Sequence, residues 1–88
     1  MSIGDVIRRF VAENSRYRLY ENYSGKGMQG TSCLGVIVHN GDSFMEFLMN
    51  LTQFMDEQGV EDADLELEGV SYDSLGPDTI VYFPRIED

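Results

Sequence analysis

Positive charge is what this chain has least of. Six Lys and Arg stand against sixteen Asp and Glu, for a formal net charge of −10. Five of the six bases (Arg8, Arg9, Arg16, Arg18 and Lys26) fall in the first 26 residues, and Gly27 to Pro84 holds no Lys or Arg but eleven acids. Such a stretch repels polyanions, which disfavours direct contact with nucleic acid or an anionic membrane and favours a basic partner surface. Solubility alone is the competing explanation for the same charge.

Other shortages narrow the field further. Cys33 is the single cysteine and His39 the single histidine. An intrachain disulfide, a cysteine zinc cluster and histidine-based metal sites or triads are therefore not expected. A lone cysteine also fits a reducing compartment. The longest apolar run lies within "CLGVIVH", far short of a membrane span, and "MSIGDVIRRF" lacks the apolar core of a signal peptide. The expectation is a soluble, cytoplasmic protein. At 88 residues the chain is too short for the two βαβαβ halves of a dinucleotide-binding domain.

What is present predicts a single α+β domain over residues 1–88, ordered α-β-β-α-β-β, with a mainly antiparallel sheet and helices on one face. Ile3, Val6, Ile7, Phe10 and Val11 follow helical spacing behind Ser2 as N-cap, with Asp5 three residues on. "RYRLYENY" alternates as a strand. "SCLGVIVH" is apolar on both faces and reads as the most buried strand. Ser43 and Glu46 form a capping box that opens a second helix, with core stripe Phe44, Phe47, Leu48, Leu51 and Met55 and Gly59 as its C-terminal stop. Met45, Met49 and Phe54 widen its apolar arc. "ADLELEGV" predicts a third strand, "SYDSLGPD" a turn region with Asp73 and Asp78 as turn-formers, and "TIVYFP" the last strand ended by Pro84. Tyr72 and Tyr82 read as core or edge aromatics.

Candidate chemistry mostly dissolves on context. Gly25, Gly27 and Gly30 spell G-x-G-x-x-G, but β-forming "TSCLGVIV" follows where a dinucleotide-binding loop requires a helix. The Walker spacing also fails. The stretch reads as a hairpin connection whose Lys26, Met28 and Gln29 are candidate secondary contacts. Cys33 and His39 lie six residues apart in one strand, about 20 Å, too far to act together. Asp62, Asp64, Glu66 and Glu68 lack the glycine and terminal glutamate of a calcium loop. Neither catalytic residues nor a metal or cofactor site is expected, so the chain reads as a non-enzyme.

The collective feature is acidic. Asp56, Glu57, Glu61, Asp62, Asp64, Glu66 and Glu68 place seven carboxylates in thirteen residues with no local base. They are the candidate partner-binding residues, set to occupy a Lys/Arg-lined groove as a row of phosphates would. Small size, acidity, a lone domain and the phrase "YENYSGKGM" resemble accessory proteins of phages and mobile elements of the anti-CRISPR type. That resemblance implies an inhibitor, in some cases a DNA mimic, that blocks a basic nucleic-acid-binding site without touching nucleic acid itself. Two other readings stand beside it. One is a homodimeric or scaffolding protein using Met45, Met49 and the sheet edge, and the other a small-ligand binder built on the glycine loop.

Overall fold

The computed structural model describes residues 2–24, 32–63, 67, 69–84 and 86. Helix α1, Ile3–Glu13, begins where the Ser2 hydroxyl accepts the Asp5 amide at 3.1 Å. Its stripe of Val6, Ile7, Phe10 and Val11 is buried. It ends where Asn14 closes on the last turn, its amide nitrogen donating to the Val11 carbonyl and its side-chain Nδ2 to the Phe10 carbonyl at 2.8 Å. Strands β1 (Tyr17–Tyr23) and β2 (Cys33–Val38) follow, then helix α2 (Phe44–Glu57) and strands β3 (Ser71–Leu75) and β4 (Asp78–Phe83). All pairings are antiparallel, in the spatial order β1-β2-β4-β3.

The expected α+β architecture and element order are thus observed. β1 and β2 pair across the Gly25–Thr31 segment, so a strand does follow the glycines. Those seven residues lie outside the described set, including the contacts expected at Lys26, Met28 and Gln29.

The third strand is a correction. Over 63–70 the described residues do not form the alternating strand: Ala63 and Leu67 are both buried and joined by an amide-to-carbonyl bond of 3.1 Å across four residues, as in a helical turn. Leu65 with Asp64, Glu66 and Glu68 lies outside the described residues. Apolar residues at both two- and four-residue spacing made the segment ambiguous, and the four-residue pair prevails at its ends. The third strand instead occupies "SYDSL", inside the stretch expected to be a turn. The turn itself shrinks to Gly76 and Pro77, because Leu75 already pairs with Asp78. Asp73 accordingly sits in mid-strand rather than at a turn, whereas Asp78, beside the turn, accepts the Asn40 amide at 2.8 Å.

Alternation on the strands builds the core. Tyr17, Leu34, Val36, Val38, Val81 and Phe83 face both helices, meeting Ile7, Phe10, Phe47, Leu51 and Met55. Rings interlock there, with Tyr17 and Phe47 centroids 4.8 Å apart and Phe10 and Phe54 5.4 Å apart. Complete burial of each large apolar side chain contributes about 1.5–3 kcal/mol. α2 starts as expected, with the Ser43 hydroxyl accepting the Glu46 amide at 3.2 Å. The Glu46 carboxylate does not complete the capping box, however, and pairs with Arg16 Nη2 at 3.0 Å. The helix ends in a Schellman arrangement: Val60 N–H donates to the Met55 carbonyl and Gly59 N–H to the Asp56 carbonyl. Gly59 has φ +83, a conformation that glycine adopts without a Cβ penalty.

Tyrosines cover the sheet's other face. A bulge between Tyr20 and Tyr23, with Asn22 at φ 61, turns the end of β1 inward. The Tyr23 ring reaches Tyr82 at 5.1 Å, and its hydroxyl donates to Asp73 Oδ2 on β3 at 2.7 Å. Gly35 beneath leaves the needed room: a Cβ there would stand 3.2 Å from Ile80 Cδ1. The hydrogen bond to the Asp73 carboxylate, aided by burial, pushes the Tyr23 phenol up to about 12.

A raised folded-state value means that the proton is held more tightly in the fold. The stabilisation is full below the ordinary tyrosine range near 10 and is lost as pH climbs towards 12. Tyr23→Phe should cost about 1 kcal/mol at neutral pH. It should also remove the part of the alkaline stability loss between about pH 10 and 12 that this phenol carries. Denaturant unfolding across that range checks both, and an unchanged pH profile in the variant would contradict the assignment.

Candidate interaction site

Four of the seven candidate carboxylates are described, and they follow one another in the chain around the end of α2. Asp56 and Glu57 close α2, while Glu61 and Asp62 follow its Schellman turn, and all four are exposed. Asp62 adopts φ 53, a left-handed backbone that Asp tolerates better than most residues. Asp64, Glu66 and Glu68 lie outside the described residues, and the four described carboxylates stand around a helix end.

Electrostatics make this cluster unusual. The C-terminal end of a helix is its negative pole, which favours cations and disfavours anions. The last turn of α2 nonetheless carries Asp56 and Glu57 and no base. Three of the described bases have partners of their own. Arg8 pairs with Asp5 at 3.2 Å and with Glu21 at 2.9 Å, and Arg16 pairs with Glu46. Arg9 donates to the Gln58 side-chain carbonyl at 3.0 Å, a neutral partner next to the cluster. Among the described residues no cation pairs with Asp56, Glu57, Glu61 or Asp62.

Beside the acids runs an apolar surface. Met45 and Met49 on the outer side of α2 are 61% and 69% exposed, and Tyr72 on β3 is 63% exposed. Phe44 joins helix to strand, its ring 4.9 Å from that of Tyr72. Below Met49 an open groove of about 480 Å³ separates α2 from Leu67 and Val70, lined mainly by Leu48, Met49, Thr52, Leu67 and Val70. The Thr52 hydroxyl donates to the Leu48 carbonyl at 2.8 Å, so its proton is engaged within the helix. Asp56 stands on the groove wall, linking it to the acidic cluster.

The unusually wide apolar arc had marked Met45 and Met49. Tyr72 reads only as a core or edge aromatic and Val70 as part of the strand expected at "ADLELEGV", so spacing assigns neither to this surface. The signal that finds them is the two-residue Gly76-Pro77 spacing between "SYDSL" and "DTIVYF", which fits a tight hairpin.

Other candidate chemistry gains little. Cys33 and His39 flank opposite ends of β2, and His39 Nδ1 lies 3.5 Å from Asp78 Oδ2. Burial pushes the Cys33 thiol up, away from the reactive thiolate. A second hollow, of about 470 Å³, lies at the base of the glycine connection and is lined by Glu21, Asn22, Ser32, Cys33, Leu34, Pro84 and Ile86. Among the described residues no cluster of three potential metal ligands occurs, and no helix is long and apolar enough to cross a membrane.

Comparison with known proteins yields no matching family model, no matching curated protein and no matching solved structure. The site therefore rests on its own geometry.

If Asp56 and Glu57 are held against the helix dipole for binding, neutralising them should stabilise the fold. The double variant Asp56→Asn, Glu57→Gln should gain about 0.5–1 kcal/mol at low salt, a rise of roughly 2–8 °C in melting temperature for a domain of this size. A fall in melting temperature at low salt would show that the two carboxylates have a stabilising partner.

Proposed function

We propose that this chain is a non-enzymatic binding protein that presents carboxylates to a basic surface on another protein. One observation carries the reading: four exposed carboxylates, unpaired among the described residues, crowd a helix end beside an exposed apolar groove. Charge alone dissolves a protein, and an apolar patch alone can be incidental. Their contiguity gives what a protein interface uses, apolar contact area for affinity and a charged rim for steering and selectivity.

In its most specific form the partner is a nucleic-acid-binding protein, and the carboxylates occupy the positions that phosphates would take. Inhibition by exclusion then needs no catalytic group, metal or cofactor. It also fits the likeness to small acidic accessory proteins of phages and mobile elements of the anti-CRISPR type. Self-association through Met45 and Met49 competes with this reading, but two copies would each bring a net charge of −10 to the contact.

Immobilised protein should retain basic nucleic-acid-binding proteins at about 50 mM salt and release most of them by about 200 mM. Duplex DNA should displace them. The variant Asp56→Lys, Glu57→Lys, Glu61→Lys should retain about tenfold less, and reversal of Glu66 and Glu68 tests the rest of the row. An unrelated protein of equal net charge provides the baseline. Retention no greater than that baseline, or indifferent to salt and charge reversal, would rule the proposal out.

A further inference from the structure

The two edges of the sheet are built differently, and the difference points to how a partner engages. β1 is blunted by its bulge, by Asn22 at positive φ and by the charges of Arg18 and Glu21. These are the devices by which edge strands avoid pairing with other chains. β3, the opposite edge, is "SYDSL", with no bulge, base or proline. Its one charge, Asp73, is held by the Tyr23 hydroxyl.

Register identifies the groups this edge offers. A two-residue hairpin loop closes on a hydrogen-bonded pair, here Leu75 and Asp78, and such pairs recur at every second residue. Asp73 and Ser71 therefore bond inward to β4, while the N–H and C=O groups of Tyr72 and Ser74 point outward. Tyr72 projects its ring to the helix side of the sheet, against Phe44 at the start of α2, the helix that carries exposed Met45 and Met49.

We propose that the β3 edge accepts an extended, basic segment of a partner protein as an added strand, with its alternate apolar residues seated on the Met45–Met49–Tyr72 surface. This rests on the binding function proposed above and names the partner's chemistry. The observations behind it are an unblunted strand edge joined to α2 by the Tyr72–Phe44 ring contact, exposed methionines on that helix, and Asp56 on the wall of the groove below Met49. Charge complementarity selects the occupant. Cations on the segment meet the uncompensated acids, whereas a second copy of this chain would bring like charge. Extended form follows from the edge itself, since a helix has no free backbone groups to exchange with Tyr72 and Ser74. Recognition of this kind draws affinity from main-chain bonds and specificity from alternate side chains.

The probe is the peptide acetyl-Lys-Leu-Lys-Val-Lys-Leu-Lys-amide, with a control that has Glu for each Lys, titrated into the full chain and followed by NMR. The Tyr72 and Ser74 amide signals and the Met45 and Met49 methyl signals should move together with the basic peptide and stay still with the acidic one. Met49→Glu and Ser74→Pro should each weaken binding about tenfold. Unmoved Val36 and Val81 signals show that both variants stay folded, and Met49→Glu changes only an exposed position.

Methyl shifts without the β3 amides would mean docking without strand addition and would overturn the inference. Shifts confined to residues 56–62 would also overturn it, while leaving the acidic-surface function standing. The same shifts appearing with protein concentration alone, without peptide, would assign the ledge to a second copy and overturn it too. No response to the basic peptide anywhere would count against both proposals.

Discussion

Five residues of β2 lie opposite five of β4, from Leu34 beside Phe83 to Val38 beside Thr79, and the other elements are arranged around that ladder. Val36 and Val81 face each other at its middle, both fully buried, and offer the helices a continuous apolar floor. α1 and α2 cover that floor with one side each. α2 is apolar around more of its circumference than the floor can bury, so Met45 and Met49 remain in water. β3 joins the ladder through a two-residue turn, which leaves its far edge beside those methionines. The exposed ledge is thus a consequence of how the core is filled, set by the width of an apolar arc against the width of a sheet.

Charge is partitioned by the same arrangement. The arginines of α1 and Arg16, just before β1, find partners in Asp5, Glu21, Glu46 and Gln58. Glu46 illustrates the competition: its backbone amide is capped by Ser43, but its carboxylate goes to Arg16 instead of closing the capping box. An ion pair between exposed groups contributes little to stability. Its effect here is positional: Arg8 and Arg16 are held away from the end of α2, while Arg9 reaches that end but bonds the neutral Gln58 side chain. Acids remain there against the helix dipole, a local conflict of the sort that natural sequences keep at functional places.

Where the apolar pattern had one period, the fold was legible. The α1 stripe behind Ser2, the doubly apolar "CLGVIV" and the α2 stripe behind Ser43 all stand where spacing put them. Legibility failed between Ala63 and Leu75. Alternating leucines and acids in "ADLELE" looked like a strand, but Ala63 and Leu67, four apart, are both buried and joined amide to carbonyl as in a helical turn. "SYDSL" has little apolar alternation, because an edge strand buries little and its partner register is set by the Gly76-Pro77 turn. The acidic candidates were legible as a composition, and their clustering at Asp56, Glu57, Glu61 and Asp62 followed from chain proximity at a helix end. Tyr72 could not be grouped with Met45 and Met49 from spacing, since a long-range pairing brings them together.

The central claim is that binding is confined to the outer side of α2 and the adjoining β3 edge. Placing a photo-crosslinking amino acid at position 49, and in a separate preparation at exposed Ala12 on α1, tests it directly in extract from cells that produce the protein. The account predicts crosslinks to basic proteins from position 49 that disappear on adding salt or Asp56→Lys, Glu57→Lys, with none from position 12. Equal crosslinking from both positions, or crosslinks from position 49 that ignore salt and charge reversal, would contradict it.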